Sequence, residues 1–346
     1  MKTIKQFKWW FVSFFTVLFI IGAVTIPLPY YLEIPGGAYD IRNVLTVNEI
    51  NDSEEGSYNF VAVTVSRASL AQIIYSWFTP FADITSIEET TGGYSQEDYW
   101  RINQFYMKTS QNSAVYQALK LAGKEAKLDY QGVYVLNVSE DSTFKNILNL
   151  ADTVTGINGK TFKSSQELIN YVSSFKIGDD VTVQYISNGI SENATGKIIK
   201  LENGKNGIGI GLVDHTEVNT KIPITFNTED VGGPSAGLMF TLDIYDQLID
   251  EDLRKGRIIA GTGTIEQDGS VGDVGGIDKK VVSADEIGAK IFFVPNNPIT
   301  DELKNINPDA KTNYEEALET VKKLKTDMKI IPVKTIEEAI AYLRTH

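Results

Sequence analysis

Hydrophobic positions fall into clearly different patterns along the chain. Trp9 to Ile26 is an almost unbroken apolar run, and no charged side chain occurs between Trp9 and Leu32. About 20 apolar residues suffice to cross a bilayer as a helix, so a transmembrane helix is expected here. Asn59 to Val65 (NFVAVTV) alternates as a half-buried strand does. Ser66 to Phe78 reads as a helix carrying Tyr75, Trp77 and Phe78, and Pro80 stops it. Gln96 to Lys127 places Ile102, Tyr106, Ala114, Ala118, Leu119 and Leu121 at helical spacing. From Gly132 the segments shorten. Strands are expected at 132–135 and at 150–157, the second entering an Asn158-Gly159 turn. A helix over 165–174 follows Ser164, with Glu167 placed for a capping box, and Val181 to Ile186 is again strand-like. Strands at 208–212 and 222–226 precede a helix over 238–248 with Leu238, Met239, Leu242, Tyr245 and Leu248 on one side. A second helix over 277–284 aligns Ile277, Val281, Ala284 and Gly288. Lys290 to Pro295 and Lys329 to Leu343 close the chain. The expected class is α+β.

Lys2, Lys5 and Lys8 precede the apolar run, while Glu33 and Asp40 follow it. The positive-inside rule makes residues 1–32 a cytoplasmic tip and anchor and puts the remainder outside. Trp9, Trp10, Tyr30 and Tyr31 sit where aromatic rings favour the interface. The expected location is therefore a single-pass cell-membrane protein with its bulk extracellular and the membrane as a partner. A cleaved signal peptide fits less well: Gly22-Ala23-Val24 is a poor cleavage site and Pro27 and Pro29 follow at once.

Composition removes several function classes. The net charge is −13 over 346 residues, which repels nucleic acid. The chain has no cysteine and two histidines, His215 and His346. Disulfide frameworks, thiolate metal sites, cysteine nucleophiles and a zinc-binding histidine pair are thereby excluded, and neither metal nor cofactor is expected. Gly159-Lys160-Thr161 resembles part of a nucleotide loop, but that loop requires glycine where Val154 stands, so no nucleotide is expected. Residues 33–127 show no recognisable chemistry and are expected as a spacer of mixed structure.

Chemistry concentrates further on. Asp230-Val231-Gly232-Gly233-Pro234-Ser235-Ala236-Gly237 leads a glycine-rich loop into a helix. Free N–H groups and the positive end of the helix dipole at such a junction suit a developing oxyanion. Gly233 to Gly237 also fits the G-x-S-x-G nucleophile elbow, but that architecture needs a downstream histidine, and only the terminal His346 qualifies. A serine without histidine is activated by a neutral lysine in Ser-Lys enzymes. On the helix after Gly275-Gly276, Lys280 falls on the flank of the apolar face, where lost hydration lowers its pKa. Lys279 is expected to point to solvent.

Two resemblances follow. Residues 128–204, with "ADTVTGINGKTFKSSQELINYV…GDDVTVQYI", resemble a PDZ domain. That resemblance implies a peptide-carboxylate loop at Gln131, Gly132, Val133 and Tyr134 and strand addition in a groove. Gly232 to Gly237, Gly261-Thr262-Gly263-Thr264-Ile265 and Gly275 to Ala284 resemble the proteolytic domain of Lon-type peptidases over residues 205–346. The resemblance implies Ser235 as nucleophile, Lys280 as general base and Thr262 as the residue orienting the lysine, with Gly232 and Gly233 beside the oxyanion. Anchor, PDZ-like and Lon-type parts in this order resemble a family of membrane-anchored bacterial peptidases. The expected activity is ATP-independent, extracytoplasmic cleavage of secreted or unfolded peptides, signalling peptides included. The alternative is a non-enzymatic surface adaptor that binds peptide C-termini.

Overall fold

The computed structural model describes residues 2–228 and 231–346, without the side chains of residues 2–8 and 302. The N-terminal part runs α1 (Lys2–Thr25), β1 (Pro27–Asp40), β2 (Leu45–Val47), β3 (Ser57–Ser69), α2 (Leu70–Ser76), β4 (Asp83–Ser86), α3 (Ile87–Thr91) and α4 (Gln96–Leu121). The middle part contains β5 (Ala126–Val138), β6 (Thr153–Ile157), α5 (Ser165–Ser173), β7 (Asp180–Ser187), β8 (Ile190–Lys197), β9 (Ile199–Lys200), β10 (Asn206–Gly207) and β11 (Ile210–Thr220). The C-terminal part adds β12 (Ile224–Phe226), α6 (Gly237–Leu248), β13 (Ile258–Gly261), α7 (Ile277–Glu286), β14 (Ile291–Pro295), α8 (Asp301–Ile306), α9 (Asn313–Leu324), β15 (Lys329–Val333) and α10 (Ile336–Thr345). The class is α+β.

Strands from both ends of the chain build one six-stranded sheet, in the order β15-β14-β13-β3-β1-β4. β15, β14, β13 and β3 are parallel, and β1 and β4 continue antiparallel. Side chains alternate across it, as a pleated strand requires. Tyr58, Phe60, Ile259, Ile291 and Phe293 share one core with α4, α6 and α10. Val61, Ala260, Phe292 and Val294 share the other with α7 and α9. A strand buried on both faces reads as a continuous apolar run, and IFFVP in β14 is one.

The middle part is a five-stranded antiparallel sheet, β11-β5-β6-β7-β8, with its own core. Leu168 and Val172 of α5 pack into that core beside Val133, Val154 and Val183. Ser164 Oγ caps α5 by accepting from Glu167 N, but the Glu167 carboxylate accepts from Lys163 N, one residue before the expected box position.

One expectation is overturned. Among the described residues, no helix is long and apolar enough to cross a membrane. The described apolar part of α1, Trp9 to Thr25, is about 17 residues, roughly 25 Å at helical rise, against a hydrocarbon core of about 30 Å. Pro27 then opens β1 instead of continuing the helix. The anchor, the single-pass extracellular placement and the membrane partner are therefore corrected. The side chains of Lys2, Lys5 and Lys8, on which the orientation rested, lie outside the described ones.

Candidate active site

Ser235 stands at the end of a loop, two residues before α6. The loop turns at Gly233, whose φ of 89° lies in the left-handed region that favours glycine. The serine carbonyl accepts from Gly263 N at 2.9 Å and from Thr262 Oγ1 at 3.1 Å. Both donors follow directly on β13, so the end of that strand fixes the loop.

Lys280 reaches the same place from the opposite core. α7 starts at Gly276, in the left-handed conformation (φ 67°), where a Cβ would meet Val63 Cγ2 at 2.6 Å. Lys280, one turn on, is 4% exposed and donates to Thr262 Oγ1 at 3.2 Å. Burial alone lowers its pKa to about 7. Thr262 thus links the two residues: its hydroxyl donates to the serine carbonyl and accepts from the lysine.

Lys279 corrects the helical-wheel reading. It is 3% exposed and forms ion pairs with Asp83 of β4 and with Asp278. Burial works to lower its pKa, but the two carboxylates raise it above the ordinary lysine value. The wheel shows only which side of α7 a residue occupies. It does not show that the edge of the six-stranded sheet covers that side.

Ser235, Lys280, Gly232 and Gly233 line one cleft of about 730 Å³, with Thr262 buried beneath it. Glu33, Val63, Tyr99, Trp100 and Asn103 line it too. These residues come from the segment in which the sequence showed no chemistry. One signal was present there: Thr109 to Ser113 is a run of uncharged polar residues inside a helix, and Ser110 to Ser113 are buried. Buried polar groups need partners, and Ser110 Oγ donates to Pro234 O at 2.8 Å.

The expected carboxylate loop is not brought to this cleft. Gln131 to Tyr134 lie within β5, where Gly132, Val133 and Tyr134 are in register with His215, Asp214 and Val213 of β11. Val133 and Tyr134 pair with β6 on the other side. His215 stacks on Tyr134, and His346 stacks on Tyr342. Neither histidine lines the cleft, so the elbow reading has no base there.

Known proteins resemble two stretches of the chain. Residues 106–198 match the family model of the PDZ domain, and residues 190–345 match that of the Lon protease (S16) C-terminal proteolytic domain. A Lon protease of Metamycoplasma arthritidis is 27% identical over 152 residues, 44% of this chain and 16% of the relative. A Lon protease of Mycoplasma mobile is 31% identical over 121 residues, 31% of this chain and 14% of the relative. The chain thus spans well under a quarter of the length of these two curated relatives. The solved PDZ domain of the SdrC-like protein from Listeria monocytogenes is 42% identical, with a TM-score of 0.24, over 25% of this chain and 93% of that one. The anchored family expected from the sequence is corrected accordingly: its PDZ and Lon-type parts find matches, and among the described residues no helix is long and apolar enough to be its anchor. The match over residues 190–345 identifies this part of the chain as similar to a serine-endopeptidase domain of Lon type.

Proposed function

We propose that the chain cleaves short or unfolded peptides, signalling peptides among them, by a Ser235–Lys280 dyad that needs neither nucleotide nor metal. The observation that carries this reading is the hydrogen-bond order around Thr262. A hydroxyl has one proton to donate, and Thr262 directs it to the Ser235 carbonyl. Toward Lys280 Nζ the threonine is therefore an acceptor, satisfied by a lysine N–H. The lone pair of the neutral amine is left free for the serine proton. With burial holding the lysine near neutrality at about 7, the amine is a competent base at ordinary pH.

Lys280 takes the Ser235 proton as the hydroxyl oxygen attacks the peptide carbonyl, and returns it to the leaving amine. Water, deprotonated in its turn by Lys280, then clears the acyl-enzyme. The Gly233 N–H already donates to Asn103 O at 2.8 Å, so the oxyanion falls to other donors. The Ser235 N–H makes no hydrogen bond among the described residues and sits at the positive end of α6. The glycines Gly232 and Gly233 keep the approach to it open.

Peptide cleavage followed by mass spectrometry tests the dyad. Ser235→Ala and Lys280→Ala are expected to lower kcat by about 10²–10⁴-fold. Lys280→Arg should fail equally, since a guanidinium keeps its proton. The rate should rise with pH through about 7, because only the deprotonated lysine accepts a proton. Full turnover by either alanine variant, or a flat profile across that range, overturns the assignment.

A further inference from the structure

We infer that α4 is a positioning element of the peptidase, with Asn103, Gln104 and Ser110 holding the loop that presents Ser235. The inference rests on the reading of Ser235 as nucleophile. α4 precedes residues 190–345, the stretch that matches the proteolytic domain, so the support comes from a different part of the chain.

Three hydrogen bonds run from α4 to the residues before the serine. Gln104 Nε2 donates to Val231 O at 3.4 Å, Gly233 N donates to Asn103 O at 2.8 Å, and Ser110 Oγ donates to Pro234 O at 2.8 Å. The fourth residue, Gly232, is fixed by shape. Its backbone is not in the left-handed region, yet a Cβ there would lie 2.8 Å from Asn103 Cβ. Glycine is thus required by the approach of the helix and not by the local φ. The first turn of α6 is equally close, since a Cβ on Gly237 would meet Ser110 Oγ at 2.6 Å.

α4 is itself held from the other side. Thr109 Oγ1 donates to Asp214 O at 2.7 Å and Asn112 Nδ2 donates to Thr216 O at 2.6 Å, both on β11. Phe105 stacks on Tyr134 with centroids 4.4 Å apart, and Tyr134 stacks on His215 at 3.9 Å. The helix is wedged between the five-stranded sheet and the serine loop. A loop clamped along its length presents its hydroxyl in one place, and small misplacement of a reacting group is costly in rate.

Hydrogen exchange of loop peptides and peptide kinetics, both on the full chain, test this. Ser110→Ala should speed exchange over residues 231–237 and lower kcat about tenfold with KM within about twofold. The pH midpoint near 7 should stay in place, since Lys280 is untouched. Gly232→Ala should displace the loop and lower kcat further, and Asn103→Gly in the same chain should recover about tenfold by removing the colliding Cβ. This second pair keeps the test open if Ser110→Ala folds poorly. Exchange and kcat at wild-type values in both single variants, or no recovery in the double variant, overturn the inference. A wild type with a protected loop that cleaves no peptide overturns the dyad alone.

Discussion

Lys279 and Lys280 are adjacent, equally buried and opposite in titration. Carboxylates hold Lys279 charged, whereas burial without a facing carboxylate holds Lys280 near neutrality. The lysine suited to act as base therefore weakens the fold. Its pKa is about 7 in the folded state and about 10.4 in an unfolded chain. Between those values the unfolded state binds more protons, so stability rises with pH by about 1.4 kcal/mol per unit. Lys280→Met removes that dependence. The variant should be inactive but more stable than wild type at pH 7 and below, with the gain shrinking toward pH 10. Urea unfolding at pH 6, 8 and 10 would show this, and a gain independent of pH would exclude a buried neutral amine. Lys279→Ala should do the reverse. It leaves Asp83, which is largely exposed, without its partner and costs about 1–2 kcal/mol, since solvent limits the penalty of the orphaned carboxylate. Thermal unfolding should drop by several degrees while kcat below the transition stays near wild type. A kcat lost together with stability would mean that Lys279 takes part in the chemistry.

At the scale of elements, what could be read locally was legible. α5, α6 and α7 announce themselves by helical spacing and by glycine or serine at their starts, so the chain alone offers Ser235 and Lys280 as candidates at the starts of α6 and α7. Long-range pairing has no such local signature. NFVAVTV reads as a strand, but nothing in it says that β13 will lie beside it or that Val61 to Val65 will line the cleft. Gln131 to Tyr134 look like a glycine-bearing loop because the glycine hides the continuity of β5, and its φ of 138° lies where β5 and β11 shift register. The apolar stretch of α1 was over-read in another way: composition gives its length but not where the helix stops, and it stops before Pro27. The buried Arg254 shows how such distant pieces are joined. Its guanidinium pairs with Asp52, in the β2–β3 connection, at 2.5 Å and with Asp246 of α6 at 3.1 Å. The cluster ties the N-terminal strands to the helix that Ser235 leads into.

At the scale of the molecule, the six-stranded sheet belongs to neither end of the chain. β3 and β13 pair from Ser57↔Ile258 to Gly261↔Phe60, with the whole five-stranded sheet between them in sequence. The region that matches the proteolytic domain accordingly lacks half of its own sheet and the helix over its cleft. A chain of residues 190–345 alone should expose the edge of β13 and the core residues that Phe60 and Met107 cover. It should show secondary structure in the far ultraviolet without fixed near-ultraviolet signals and should cleave nothing. A cooperative unfolding transition from that fragment would contradict this reading. The same pairing sets an order in time. A growing chain makes β1, β3 and α4 early, and they wait, through synthesis of about 190 residues after β3 and about 140 after α4, for β13 to arrive and close the contact. Until then no cleft exists. Ser235 and Lys280 come together only after β13 and α7 have both been made, so a partly made chain has no assembled cleft with which to cut itself.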